Sequence, residues 1–255
     1  MNCSEMDKSK LITYQKFGPY SNLIAFSTTK STFPGVTNLR FTGGQPILVE
    51  ENREHLANVL KIDTSQLVFP RQTHTNCVVN LNHIPENEIT ETDALVTNQP
   101  GICLCIQTAD CVPVLLFDPV NRAIAAVHAG WRGTVTKIAT LTVKKMNRLY
   151  GSLPQNLLAV IGPSIGPEVY EVGSEVVKEV RQNIPNPEKT LHENQTGSFH
   201  LNLWEANRQL LLAVGLSNEN IEISGECTFK ENEKYYSARR EGIGTGRIVS
   251  GIMLC

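Results

Sequence analysis

Two apolar runs separated by a short polar break constrain this chain more than any other feature. PVLLFD (Pro113–Asp118) and AIAAVHA (Ala123–Ala129) are each long enough for a strand, and the break carries Asp118, Pro119, Val120 and Asn121, a set that favours a tight reversal. Both runs are apolar at nearly every position rather than every second one, so strands made from them must be covered on both faces. The pair predicts an antiparallel hairpin in the middle of a sheet. With the reversal centred between Pro119 and Val120, Cys111 and His128 fall opposite one another at the open end, their Cα atoms about 4.5–5.5 Å apart.

Further strand-like runs surround the hairpin: QLVF, CVVNL, ALVTN and ICLCIQ before it, IEISG, KYYSAR and RIVSGIML towards the carboxyl end. Helical spacing interleaves with them over Glu50–Lys61, Thr134–Tyr150, Pro167–Gln182 and Asn202–Val214, the last with Asn202 as a candidate N-cap. A strand-rich centre flanked by helices predicts a mixed α/β (α+β) layered sandwich of sheets and helices. No repeat, low-complexity tract or linker divides the 255 residues, so a single domain over 1–255 is expected.

The charge balance, 23 Lys+Arg against 25 Asp+Glu, provides no basic stripe for a polyphosphate backbone, which argues against nucleic acid as a partner. No run approaches the roughly 18 apolar residues of a membrane span, and the first residues lack the pattern of a secretion signal. Seven cysteines, an odd number without framework spacing, suit a reducing compartment. The expectation is a cytoplasmic protein with free thiols.

His74 lies in PRQTHTNC, a polar tip between two strand-like runs, from which it could reach the end of the sheet. One thiolate and two imidazoles, Cys111 with His74 and His128, make a three-ligand zinc set that leaves a fourth tetrahedral position for water or substrate. The plainer alternative stays open at this point. A Cys or His at a strand end is commonly a packed or capping residue, and the gaps match no zinc-finger spacing.

The motifs RQTHTNCV, TDALVTN, TADCVPVLLFDPV, AAVHAGWRGT, IGPSIGPEVYEVG and YYSARREGIGTGR, in this order from Arg71 to Arg247, resemble the YfiH/laccase-domain family, whose members have been called polyphenol oxidases and purine nucleoside phosphorylases. The resemblance implies a YfiH-type α/β fold and a single zinc held by His74, Cys111 and His128. It also implies phosphorolysis of adenosine, inosine and methylthioadenosine, with adenosine deamination besides. Two departures stand out. FSTTKSTFPGVTNLRFTGGQP replaces the usual Arg-x-Gly-Gly-Val-Ser signature, and Ala238 and Glu241 stand where many relatives carry His and Asp.

Deamination by a zinc site needs an acid–base partner, and Asp110, next to Cys111, is the first candidate; a carboxylate capping turn N–H groups is the alternative. The His-x-Glu and Pro-Cys-x-x-Cys signature of zinc deaminases is absent. Phosphorolysis needs an anion held against the anomeric carbon, and Arg71, Arg132, Arg239 and Arg240 are the candidate phosphate contacts. Trp131 could stack on a base or simply pack. Three rivals remain. Cys111 with His128 could form a Cys-His hydrolase or amidase acting on cell-wall precursors, and copper in place of zinc could give a weak polyphenol oxidase. The third is a closed structural zinc completed by Cys77 or Cys105. A true multicopper laccase needs on the order of ten histidines, and this chain has six.

Overall fold

The computed structural model describes residues 6–33 and 46–255. Most of the divergent amino-terminal segment, residues 34–45, therefore lies outside the described residues. In chain order the strands are β1 (Leu11–Ile12), β2 (Leu23–Thr28), β3 (Leu67–Val68), β4 (Val78–Asn80), β5 (Ala94–Thr97), β6 (Cys103–Thr108), β7 (Val112–Asp118) and β8 (Ala123–Ala129), followed by β9 (Leu158–Ile161), β10 (Glu171–Val172), β11 (Leu191–Glu193), β12 (Phe199–Leu201), β13 (Ile221–Ile223) and β14 (Ile248–Leu254). The helices are α1 (Pro46–Leu60), α2 (Trp131–Val135), α3 (Ile138–Tyr150), α4 (Ser174–Asn183), α5 (Leu203–Ala213) and α6 (Ala238–Glu241).

The two apolar runs form the expected hairpin, β7 with β8, inside a six-stranded mixed sheet ordered β13-β9-β7-β8-β5-β4. A second sheet, β1-β2-β14-β6-β3, stacks on it, and β10-β12-β11 make a small third. Strand alternation assigns each residue of the hairpin to a layer. Val112, Val114 and Leu116 of β7 and Ala123, Ala125, Val127 and Ala129 of β8 pack against Ile138, Ala139, Val143 and Met146 of α3. The small residues of β8 let that helix lie close. Leu115, Phe117, Ile124 and Ala126 point the other way and meet Leu104, Ile106, Ile252 and Leu254 of the second sheet. On that sheet's outer face Leu56 and Leu60 of α1 close over Phe26, Cys103, Cys105 and Ile248. Each fully buried Leu, Ile or Phe in these layers contributes about 1.5–3 kcal/mol. The layered mixed α/β architecture is the expected one, with helices outside two stacked sheets.

Several boundaries differ from the sequence reading. Lys137 takes a left-handed backbone (φ 64°) and splits the expected Thr134–Tyr150 helix into α2 and α3. Pro167 does not open a helix: residues 171–172 form β10, and α4 begins at Ser174 after Gly173. Asn202 caps α5 as expected, its Oδ1 accepting from the Glu205 N–H at 3.0 Å. KYYSAR is not a strand. The N–H groups of Lys234 and Tyr235 donate to the Glu231 carbonyl, winding the chain into a turn that buries both tyrosines, and Ser237 then caps α6. Cys77, Cys103, Cys105, Cys111 and Cys227 are free thiols, whereas Cys255 is disulfide-bonded, which corrects the expectation of free thiols throughout. Among the described residues no helix is long and apolar enough to cross a membrane.

Candidate metal centre

The hairpin register differs from the sequence reading by two residues. Asp118 stays in the strand opposite Ala123, and the loop is Pro119–Arg122, with Arg122 in the left-handed region (φ 50°) and Asp118 Oδ1 accepting from the Val120 and Asn121 N–H groups at 2.9 and 3.2 Å. His128 therefore faces Pro113, and Cys111 sits diagonally from it rather than directly opposite. A change of two in the pairing leaves every side chain on its original face. Cys111 and His128 thus still share the face that looks towards the second sheet, at its open end.

His74 arrives from the loop between β3 and β4 with a left-handed backbone (φ 63°). Its ring centroid is 4.8 Å from that of His128, the planes at 72°, and its Nε2 is 3.9 Å from Cys111 Sγ. One ligand atom from each of His74, Cys111 and His128 lies within 4.8 Å of the others, so the three could hold a metal ion. Neither Cys77 nor Cys105 joins the group; Cys105 faces Cys103 in the core at 3.7 Å. Gly130 completes the cradle, since a Cβ there would stand 2.9 Å from Cys111 Sγ and 3.3 Å from His74 Cδ2.

Asp93, just before β5, was not among the candidates and organises the whole centre. Its fully buried carboxylate accepts from the successive N–H groups of Thr73, His74 and Thr75 at 3.2, 3.0 and 2.7 Å, and from the Thr75 hydroxyl at 2.8 Å. The same carboxylate binds His128 Nδ1 at 2.7 Å, which turns Nε2 towards the other two ligands. A carboxylate behind a ligating imidazole fixes its tautomer and orientation. Burial alone would raise the Asp93 carboxyl, but the bond to His128, its charge and the Thr75 donors outweigh it and hold the group at about 2.

The electrostatics favour a thiolate. Burial works against ionisation of Cys111, yet the charge and hydrogen bond of His128, reinforced by His74, bring the thiol down to about 6. His128 responds reciprocally. Burial would lower it, but the Cys111 charge and the Asp93 bond raise it to about 9. One preformed thiolate, two imidazoles and a buried carboxylate behind one of them are a donor set suited to a zinc-like or copper-like ion.

The trio lines a cleft of about 550 Å³ whose walls include Arg71, Gln72, Glu88, Ala238, Ile243 and Arg247. Arg71 is the one sequence-predicted arginine on this wall, exposed and engaged by Glu88 at 3.7 Å. Arg132 and Arg239 approach from another flank, where their charges act with those of Cys111 and Asp110 on the half-buried Tyr170. The Arg239 guanidinium lies 5.2 Å from the Tyr170 ring and donates to the Glu171 carbonyl. Arg132 stacks on Trp131, which packs against the core rather than standing free. Arg240 turns away to the Phe229 carbonyl. Asp110, with φ 86°, has both oxygens engaged: Oδ1 accepts from the Thr228 hydroxyl at 2.7 Å and Oδ2 from the Arg239 N–H at 2.6 Å. That is the capping arrangement weighed against proton transfer.

Residues 29–255 match the family described as multi-copper polyphenol oxidoreductase laccase. The chain belongs to this family. Within it, a Bacteroides thetaiotaomicron protein named purine nucleoside phosphorylase is 37% identical over 260 residues, covering 96% of each chain. A protein named adenosine deaminase RL5, from an unknown prokaryotic organism, is 38% identical over 243 residues, covering 89% of this chain and 92% of its own. The crystal structure of the hypothetical protein YfiH from Bacillus licheniformis superposes with a TM-score of 0.88 at 32% identity, over 98% of both chains. The family's description speaks of several coppers, but the His74–Cys111–His128 group, with its two imidazoles, is the one such cluster among the described residues.

Proposed function

We propose that this laccase-family chain is a cytoplasmic zinc-dependent purine nucleoside phosphorylase. It converts adenosine, inosine and methylthioadenosine, with phosphate, to the free base and the corresponding ribose 1-phosphate, and deaminates adenosine as a side activity. The observation that carries the reading is a three-ligand centre opening onto a cleft of nucleoside size, in a chain whose full-length relatives are named for these two activities.

His74, Cys111 and His128 would hold the ion, and a bound zinc supplies Lewis-acid polarisation without redox chemistry. The protein's own groups do the rest. Asp93 keeps the His128 ring in its ligating orientation, and Arg71, loosely held by Glu88, offers a guanidinium to a phosphate in the cleft. Arg132 and Arg239 place positive charge on the Tyr170 flank. Asp110 holds the start of α6 through the Arg239 N–H, so it acts through the position of that segment.

A second reading is favoured by one observation, the mutual shift of Cys111 and His128 into a thiolate–imidazolium pair. Without metal that pair is the nucleophile and base of a Cys-His hydrolase. Incubation with adenosine and phosphate, before and after chelation, separates the two. Adenine, hypoxanthine and ribose 1-phosphate formed by zinc-loaded protein and lost with chelator support the phosphorylase. No turnover with zinc, or amidase activity that rises on chelation, overturns it.

A further inference from the structure

The segment after α6, residues 242–247, forms part of the cleft wall, and its backbone is held from within. Arg247 Nη1 donates to the carbonyls of Thr245 and Gly246 at 2.6 and 2.9 Å, and Nη2 to that of Ile243 at 3.1 Å. Glu241 anchors the other side, accepting from the Thr245 hydroxyl while pairing with Lys30 at 2.7 Å. Gly242 makes the entry turn with φ 87°. The result is a fixed loop that spends its polar groups on itself and leaves one large side chain outside.

That side chain is Ile243. It is 86% exposed, the most exposed large hydrophobic among the described residues, and it packs against none of the three cores. Among the described residues it is also the one large aliphatic side chain lining the cleft, where its apolar companions are Ala109 and Ala238 and the remaining described lining is Cys111 and polar or charged residues. Phosphate and ribose are served by polar walls. The flat face of a purine needs an apolar surface, and an exposed apolar group at a cleft mouth recovers the cost of its exposure when a ring covers it.

We infer that Ile243 is a specificity-determining residue that packs over the face of the purine base at the lip of the cleft. The inference rests on the nucleoside reading of this site and adds to it the residue that recognises the base. Because Ile243 is largely exposed and lies outside the three cores, replacing it is expected to leave folding and metal binding intact.

The test compares wild type with Ile243→Ala, Ile243→Asn and Ile243→Leu, each zinc-loaded. KM for adenosine and inosine is measured at saturating phosphate, and KM for phosphate at saturating nucleoside. Ile243→Ala and Ile243→Asn are expected to raise both nucleoside KM values roughly tenfold, the low end of what one methylene group contributes in an enclosed pocket and so suited to a contact at an open lip, with phosphate KM, zinc content and melting temperature unchanged. Ile243→Leu is expected to restore the wild-type KM. Nucleoside KM values that stay at the wild-type level in Ala and Asn overturn the inference, as does a phosphate KM that rises in parallel. If wild type itself turns over no nucleoside, the phosphorylase reading falls and the base contact falls with it; active wild type with unaffected variants removes Ile243 alone.

Discussion

His128 Nδ1 and Asp93 Oδ1 stand 2.7 Å apart in a fully buried contact, and the same carboxylate clasps the backbone that carries His74. Two of the three candidate metal ligands are thereby referred to a single anion. Asp93→Asn exchanges that acceptor for a group with two donors of its own, facing the donors it should satisfy. The expected outcome is a 10- to 100-fold loss of zinc affinity, read by competition with a chromophoric chelator. His128→Ala loses a ligand outright and is expected to lose more.

The same carboxylate sets an acid limit on the metal-free protein. Asp93 titrates at about 2 when folded, against about 3.9 in an unfolded chain. A depressed carboxylate contributes stability above its unfolded value, and the contribution disappears as pH falls through the folded one. About 2 kcal/mol of unfolding free energy is expected to vanish between pH 4 and pH 2. Urea titrations of wild type and Asp93→Asn across this interval check it: the variant is expected to show a flatter dependence.

Cys111 is expected to alkylate with a pH midpoint near 6 in the metal-free protein. His128→Ala removes the main lowering influence and moves the midpoint up towards the roughly 8.5 of an ordinary thiol. Zinc suppresses labelling. Rates of iodoacetamide modification at Cys111, followed by peptide mass spectrometry between pH 5 and 9, give the curve.

Gly130→Ala places a methyl group 2.9 Å from Cys111 Sγ and 3.3 Å from His74 Cδ2. The backbone there (φ −65°) accepts alanine, so the clash is steric and local. Zinc affinity is expected to fall about tenfold, as for other disturbances of ligand geometry, with a much smaller change in melting temperature. Equal affinity in the variant and wild type contradicts the cradle.

The core of the site is legible in the sequence because an unbroken apolar hairpin leaves little choice of where Cys111 and His128 can go. The register is less so: whether Asp118 ends the strand or starts the turn depends on the left-handed Arg122, which no local motif announces. The trio survives the slip because pairing moved by two and not by one. Asp93 is harder to see, since a carboxylate before a strand reads as a surface turn residue; only the folded loop brings the N–H groups of Thr73, His74 and Thr75 onto it. Its place in TDALVTN, ahead of an apolar strand, was the available signal. The arginines divide for a similar reason. Arg71 shares the His74 loop and reaches the cleft, whereas Arg240 is claimed by the Phe229 carbonyl, a contact that spans two turns and carries no spacing signature.

The proposed chemistry needs an open metal centre built from His74, Cys111 and His128, and metal analysis tests that most directly. Purified chain loaded with zinc and freed of excess should hold one ion per molecule by mass spectrometry, and Cys111→Ser and His128→Ala should hold none while remaining folded. Protein that retains no metal, or variants that bind it as well as wild type, would contradict the account.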